Sequence, residues 1–393
     1  MSDPIERTDI SVLGERLRVA RSRAGLTQDQ AAKAVEMART TLIAIEKGER
    51  RIRPAELSSF AHLYAVSINE LLRDHAIHID LEPRFRAMPE MGRSNAAAAA
   101  TLLNDLAAAE VELETLLGRR SIRSYPPERP LGPGDPEQQA EDAAGELRHR
   151  LGRGLSPIKD LIVVLEIELA IRVFIRPIEE RSISGLFIFD EAVGACILLN
   201  ANHPTERRLQ SAAHETGHFV GTRGKPDVDS SAVDTNSREE RFAKRFGFAF
   251  LMPAAAVRAM FMDFVREHGR FSPRHLVLMS AHFGVSQEAG CRRLEELSLL
   301  PARTWESIKA RGFTGNFARK LLDEAGFAPV NSKIDSVTPR LWLLAAEAYE
   351  RGLVTEGQLS RMLRLPRLEI RRILDTLDGG EIGDLQDAAI TAG

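Results

Sequence analysis

Apolar residues recur at helical intervals from residue 11 to 73, in short runs broken by turn residues. Leu13, Leu17 and Ala20 mark one face of the first run. Thr27 stands where an N-cap for "QDQAAKAV" belongs. A turn around Glu36 and Met37 leads into "ARTTLIAIEKG", which Gly48 stops as a C-cap residue does, and Pro54 opens the next helix. Residues 83–145 change character. They hold "SNAAAAATLLNDLAAAEVELETLLGRR", a strong helix former, and then "SYPPERPLGPGDPEQQAEDAAGE", whose Pro, Gly and acid content is that of a linker. That composition sets a boundary within 121–143.

From 144 to 300 strands and helices mix. "LGRGLSPIKDLIVVLEIEL" reads as a helix, "AIRVFIRPI" as a β-rich run, and "SISGLFIFD" and "GACILLN" as two further strands. After residue 300 short helices return, two or three of them in "TPRLWLLAAEAYERGLVTEGQLSRMLRLPRLEIRRIL". No internal repeat stands out. The pattern predicts an α+β multidomain chain. Residues 1–75 form an all-α module, 76–143 a helix and linker, 144–260 a mixed domain with a small sheet, and 261–393 a helical region.

Composition narrows the classes. The chain has 393 residues, 44% hydrophobic and 28% charged, with a formal net charge of −3. Affinity for nucleic acid must therefore come from a local patch. Cys196 and Cys291 are too few for a disulfide framework and form no Cys-x-x-Cys pair, so a metal site must be built from His and carboxylate. The polar, acidic "MSDPIERTDI" is not a signal peptide, and no run approaches the length of a membrane span. A cytoplasmic protein without membrane contact is expected.

The run from 12 to 72 resembles the Cro/lambda-repressor-like (XRE-type) helix-turn-helix domain, through "LRxxRxxxGLTQxxxA" and "xxxTTLIAIEKGER". The resemblance implies that Arg39, Thr40 and Thr41 face base edges and that Gln28 and Lys47 touch phosphate. Local charge agrees: residues 12–53 hold ten Lys/Arg against five Asp/Glu. A lone module of this kind binds double-stranded DNA weakly, so a homodimer is expected. The 95–119 helix is either its dimer element or core within one protomer.

"LQSAAHETGHFVGTR" carries the second chemistry. His214 and His218 stand at i and i+4, on one helix face, as two imidazole ligands of one metal would. Glu215 lies between them, offset so that it reaches a water on the metal and acts as general base. Gly217 is a poor helix residue, which makes sense if a strand or a substrate backbone passes close by. A third ligand is required. "SREERFAKRFGFAFLMP" reads as the next helix, with Phe242, Phe246, Phe250 and Leu251 on its apolar side. Spacing does not choose between its acids, Glu239 and Glu240. His203 and His282 read as structural or exposed, and Asn200 as a turn residue or a substrate contact. "GLFIF" and "ACILL" include either an edge strand for a substrate peptide or buried sheet.

The run from about 150 to 300 resembles the ImmA/IrrE family of metallopeptidases. The residues that carry it are "ISGLF", "ILLN", "ERRLQSAAHETGHF", "EERFAKRFGFAFLMP" and "HFGVSQEAGCRRLEEL". The resemblance implies a zincin-like domain in which His214, His218 and a glutamate bind Zn²⁺ and Glu215 is catalytic. The family register makes Glu240 the ligand and puts Lys244 where Asn or Asp usually stands. It also implies a protein substrate, a repressor, whose cleavage turns on silenced, stress-response genes. Two other readings keep the same residues: a DNA-binding regulator whose zinc domain senses a ligand or partner without turnover, and an antitoxin-like protein. The resemblance also makes 261–393 a helix-turn-helix-like helical region, through "HLVLMSAHFGVSQEAGCRRLEELSLL", and within it "RLPRLEIRRIL" reads as a packing or partner-binding helix rather than a second DNA reader.

Overall fold

The computed structural model describes residues 9–64, 66, 71, 90–119, 123, 125–224, 227–230, 237–326 and 337–378. The chain divides into two compact units, Met1–His78 and Ile79–Gly393. The first holds α1 (Ile10–Arg23), α2 (Gln28–Ala34), α3 (Arg39–Glu46) and α4 (Pro54–Leu63). Thr27 caps α2 reciprocally with Gln30, Glu36 turns the chain at a φ of 53°, and Gly48 leaves α3 at 71°. Leu13, Leu17, Ala20, Leu42, Ile45 and Phe60 close its core.

The second unit begins with α5 (Glu90–Leu116) and α6 (Pro136–Arg150). The linker reading fails over α6. Asp135 caps this helix, and Ala140, Ala143, Ala144 and Leu147 bury one face of it in the core. Of its acids, Asp142 and Glu146 are exposed, whereas Glu137 and Glu141 pair with Arg245, so composition alone masked its amphipathic pattern. The helix expected over 151–169 shrinks to α7 (Leu161–Val163) and a π turn, Val164–Glu168. Gly152 and Gly154 sit at φ 63° and 49°, and Pro157 follows, which together hold residues 151–160 out of a helix.

Four strands follow: β1 (Arg172–Arg176), β2 (Ile183–Asp190), β3 (Gly194–Asn200) and, after helix α8 (Thr205–Gly221), β4 (Asp227–Ser230). Their order is β1-β3-β2-β4, with β1 parallel to β3 and β2 antiparallel to both neighbours. "GLFIF" and "ACILL" are therefore interior strands, and the edge reading is corrected. Both faces are covered, which explains their near-continuous apolar character. Val173, Ile175, Phe187, Ile197 and Leu199 join one core, and Phe174, Leu186, Ile188, Cys196 and Leu198 join another.

The first core is completed by α6, α8, α9 (Arg238–Leu251), α10 (Ala254–His268), α11 (Pro273–Phe283), α12 (Gln287–Glu296) and α13 (Thr304–Ala310); α14 (Gly315–Glu324) follows. The second is completed by α5 and by α15 (Pro339–Glu350), α16 (Glu356–Met362) and α17 (Arg367–Asp378). Thus α5 is core within one protomer, and "RLPRLEIRRIL" packs through Leu365, Ile370 and Leu374. A buried ionic knot fixes this side. Arg172 on β1 bonds Glu110 and Glu114 of α5, the latter at 2.8 Å, and Arg340 of α15 meets Glu110 at 3.0 Å.

Candidate metal centre and nucleic-acid interface

Helix α8 is buried from Ser211 to Gly221 and lies against β2, β3 and α9. Its register turns His214 and His218 to α9, and Glu215 to the sheet. The two imidazole Nε2 atoms are 3.2 Å apart. Glu240 reaches both: Oε1 lies 3.5 Å from His214 Nε2, and Oε2 lies 3.5 Å from His218 Nε2. One ligand atom from each of the three lies within 4.8 Å of the others. Glu239, the neighbouring acid, lies outside this group.

Glu240 owes its place to two local features. Ser237 caps α9, its hydroxyl accepting from the Glu240 N–H at 3.0 Å, so the glutamate sits in the first turn where the helix dipole favours a carboxylate. Gly217 provides the second. A Cβ there would stand 2.8 Å from Ala243 Cα and 3.0 Å from Ala243 O. Gly247 answers from α9, where a Cβ would stand 3.0 Å from His214 N. The helix cost of Gly217 thus permits close approach of α9, not of a strand or substrate backbone as its position suggested.

Glu215 is fully buried. Its carboxylate rests against Gly185 of β2, where an added Cβ would stand 2.7 Å from Oε1. His218 Nδ1 lies 3.1 Å from Thr222 Oγ1, a partner that orients the ring from the side opposite Glu240. Burial pushes the Glu240 carboxyl up, but the His218 hydrogen bond and the charges of His214, His218 and Lys244 outweigh it, so it lies below the ordinary carboxylate range. Lys244 itself is exposed, one turn beyond Glu240. Asn200 is structural: its Oδ1 accepts from Ile178 N and Asn202 N, and its Nδ2 donates to Ile183 O at 2.8 Å. His203 meets the Arg181 carbonyl, and His282 stacks edge-on with Phe283.

Spacing had not revealed Thr222, Gly185 or Gly247. Thr222 lies one helical turn past His218, and Gly185 lies in "ISGLF", so both had a sequence signal with no geometry to interpret it.

In the amino-terminal unit, Arg39 and Thr40 are exposed at the start of α3, Thr41 is half-buried, and Lys47 is exposed at its end. Arg39 lies 3.5 Å from Asp29. Gln28 is drawn inward instead, its amide donating to Glu46 Oε2 at 2.8 Å. Glu46 is itself held by Arg21 at 2.6 Å, so Gln28 braces α2 on α3.

Residues 168–295 match the IrrE N-terminal-like domain family, and residues 12–75 match a helix-turn-helix domain family. No curated protein matches the sequence. A solved structure described as "Crystal Structure of ComR from Streptococcus suis" aligns over 94% of both chains, at 10% identity and a TM-score of 0.16, a likeness too slight to carry an argument. Among the described residues no single helix is long and apolar enough to cross a membrane. The chain thus joins an amino-terminal segment that matches a helix-turn-helix domain family to a later segment that matches the IrrE N-terminal-like (M78 peptidase) domain family, an order of matches that agrees with the ImmA/IrrE architecture.

Proposed function

We propose that this protein is a cytoplasmic DNA-binding regulator whose second unit is a zinc-dependent endopeptidase acting on a repressor-type protein. The observation that carries the reading is the convergence of His214, His218 and Glu240 beside a buried Glu215. Two imidazoles and one carboxylate fit Zn²⁺ with a fourth position open to water or substrate. When bound there, zinc supplies Lewis-acid polarisation of the scissile carbonyl and a more acidic water. The protein's residues do the rest. Glu215, immobilised between α8 and Gly185, takes the proton of the attacking water and returns it to the leaving amine. Thr222 keeps the His218 ring turned toward Glu240. Exposed Arg39 and Thr40 read base edges at the start of α3, and Lys47 meets phosphate.

Glu215→Gln tests the peptidase. It should retain zinc and duplex binding and lose cleavage of the repressor-type substrate. A variant that still cleaves at the wild-type rate overturns the mechanism. Metal analysis beside His214→Ala tests the site: wild-type protein purified without chelator and free of metal would defeat the ligand assignment. Exposed Lys244, near Glu240, favours the second reading, a zinc-loaded domain that senses a partner without turnover. Lys244→Asn should then raise cleavage from nothing, whereas under the first reading cleavage is already present.

A further inference from the structure

The carboxy-terminal helices repeat the helix-turn-helix of the amino-terminal unit position by position. Thr27 and Thr355 each cap a helix of 7 residues, α2 and α16. Each capping box is closed by a glutamine: Thr27 N donates to Gln30 Oε1 at 2.8 Å, and Thr355 N donates to Gln358 Oε1 at 2.7 Å. The turn that follows contains one left-handed residue, Glu36 at φ 53° and Arg364 at φ 51°. The second helices open on Arg39 and Arg367. Core positions also correspond. Leu13, Leu17, Ala20, Ala31 and Leu42 are matched by Leu341, Ala345, Ala348, Leu359 and Ile370, all buried. Each pair stands at the same distance from its own threonine. Different residue choices (Leu359 for Ala31, Arg364 for Glu36) hide the repeat from simple comparison of letters.

A helix-turn-helix crosses the DNA backbone with its first helix and enters the major groove with the start of its second. In the carboxy-terminal copy, Leu359, Leu363, Leu365, Ile370 and Leu374 face the core shared with α5, which leaves the start of α17 outward. That surface is basic: residues 361–372 hold five arginines and one acid. Arg371 pairs with Glu356 at 3.0 Å, and Arg364 pairs with Asp105. Arg361, Arg367 and Arg372 are exposed and make no ion pair among the described residues. Leu368 takes the position of Thr40 and is 61% exposed, at odds with a role in packing. An apolar side chain at that place suits a thymine methyl group.

We propose that α16 and α17 form a second surface for double-stranded DNA, with Arg361, Arg367 and Arg372 on phosphates and Leu368 against base edges. One chain then carries two DNA-reading modules. The full-length protein tests this by fluorescence anisotropy with a labelled duplex across a salt series. Arg39→Ala with Thr40→Ala disables the first module, and salt-sensitive binding should persist. Adding Arg361→Gln, Arg367→Gln and Arg372→Gln should weaken it by about tenfold or more at low salt. The slope of log affinity against log salt should fall by roughly one for each arginine that meets phosphate. The three Arg→Lys substitutions keep charge and should restore both. A thermal melt checks folding, which exposed substitutions leave intact. Unchanged affinity and slope in the triple variant would overturn the proposal. So would loss of all duplex binding when the first module alone is disabled. If the triple variant loses only its protein substrate, the surface docks protein and the DNA assignment is wrong.

Discussion

Replacing Gly217 with alanine puts the packing of the metal centre to a direct test. In an exposed helix interior this change stabilises by about 0.5–1 kcal/mol, because glycine costs more backbone entropy. Gly145, exposed in α6 with nothing within 4 Å of an added Cβ, is the internal control. At Gly217 the methyl would meet Ala243 Cα at 2.8 Å and the Ala243 carbonyl at 3.0 Å. Both are backbone and cannot swing aside, so α9 must move by several tenths of an ångström. Overpacking of that kind costs about 1–3 kcal/mol, which exceeds the propensity gain. The displaced helix carries Glu240, whose oxygens lie 3.5 Å from both imidazoles. Urea denaturation should show Gly145→Ala stabilised and Gly217→Ala destabilised by about 1–2 kcal/mol net. Zinc affinity, read by competition with a chromophoric chelator, should fall about tenfold or more in Gly217→Ala and stay unchanged in Gly145→Ala. If the two variants behave alike in both assays, the close approach of α8 and α9 does not set the site.

Other outcomes follow from single contacts. Ser237→Ala removes the cap of α9 and should cost about 1 kcal/mol of stability while loosening zinc binding through Glu240, both read in the same two assays. Arg39→Ala with Thr40→Ala should erase from an operator footprint the base preference that α3 supplies and leave zinc content unaltered. Burial first, and the neighbouring Glu110 charge, push the Glu166 carboxyl up to about 8, against a hydroxyl from Thr338 and an N–H from Arg340. The folded protein therefore holds a proton there that the unfolded chain releases, and stability declines as pH rises from the ordinary glutamate range to about 8. Glu166→Gln should flatten that decline, seen as denaturation midpoints that converge with wild type at low pH and exceed it at high pH.

Much of the fold was legible where one local rule acts alone. Thr27, Gly48 and Pro54 are punctuation marks whose backbone requirements leave few choices, and the helices fell between them. "SISGLFIFD" and "GACILLN" read as strands because β-rich apolar runs bounded by turn residues have few other solutions. What escaped were features set by partners distant in sequence. The acids of α6 looked like linker because its buried alanines count little on a hydrophobicity scale, and α9 supplies their counterpart. Helical spacing left Glu239 and Glu240 equivalent; only the crossing of α8 and α9 brings one of them, Glu240, to the histidines. The bond from Gln28 to Glu46 joins residues 18 positions apart, and no local spacing rule points to it.

The two-faced sheet has a consequence for how the molecule can be divided. The family match spans 168–295, yet one side of β1, β2 and β3 is roofed by α5 from before that span and by α15 to α17 from after it. A fragment cut at the matched borders would leave Phe174, Leu186, Ile188 and Leu198 bare to water, together with an Arg172 stripped of its carboxylates. The matched segment is the middle of a closed circuit, in which both flanks of the chain return to the same strands.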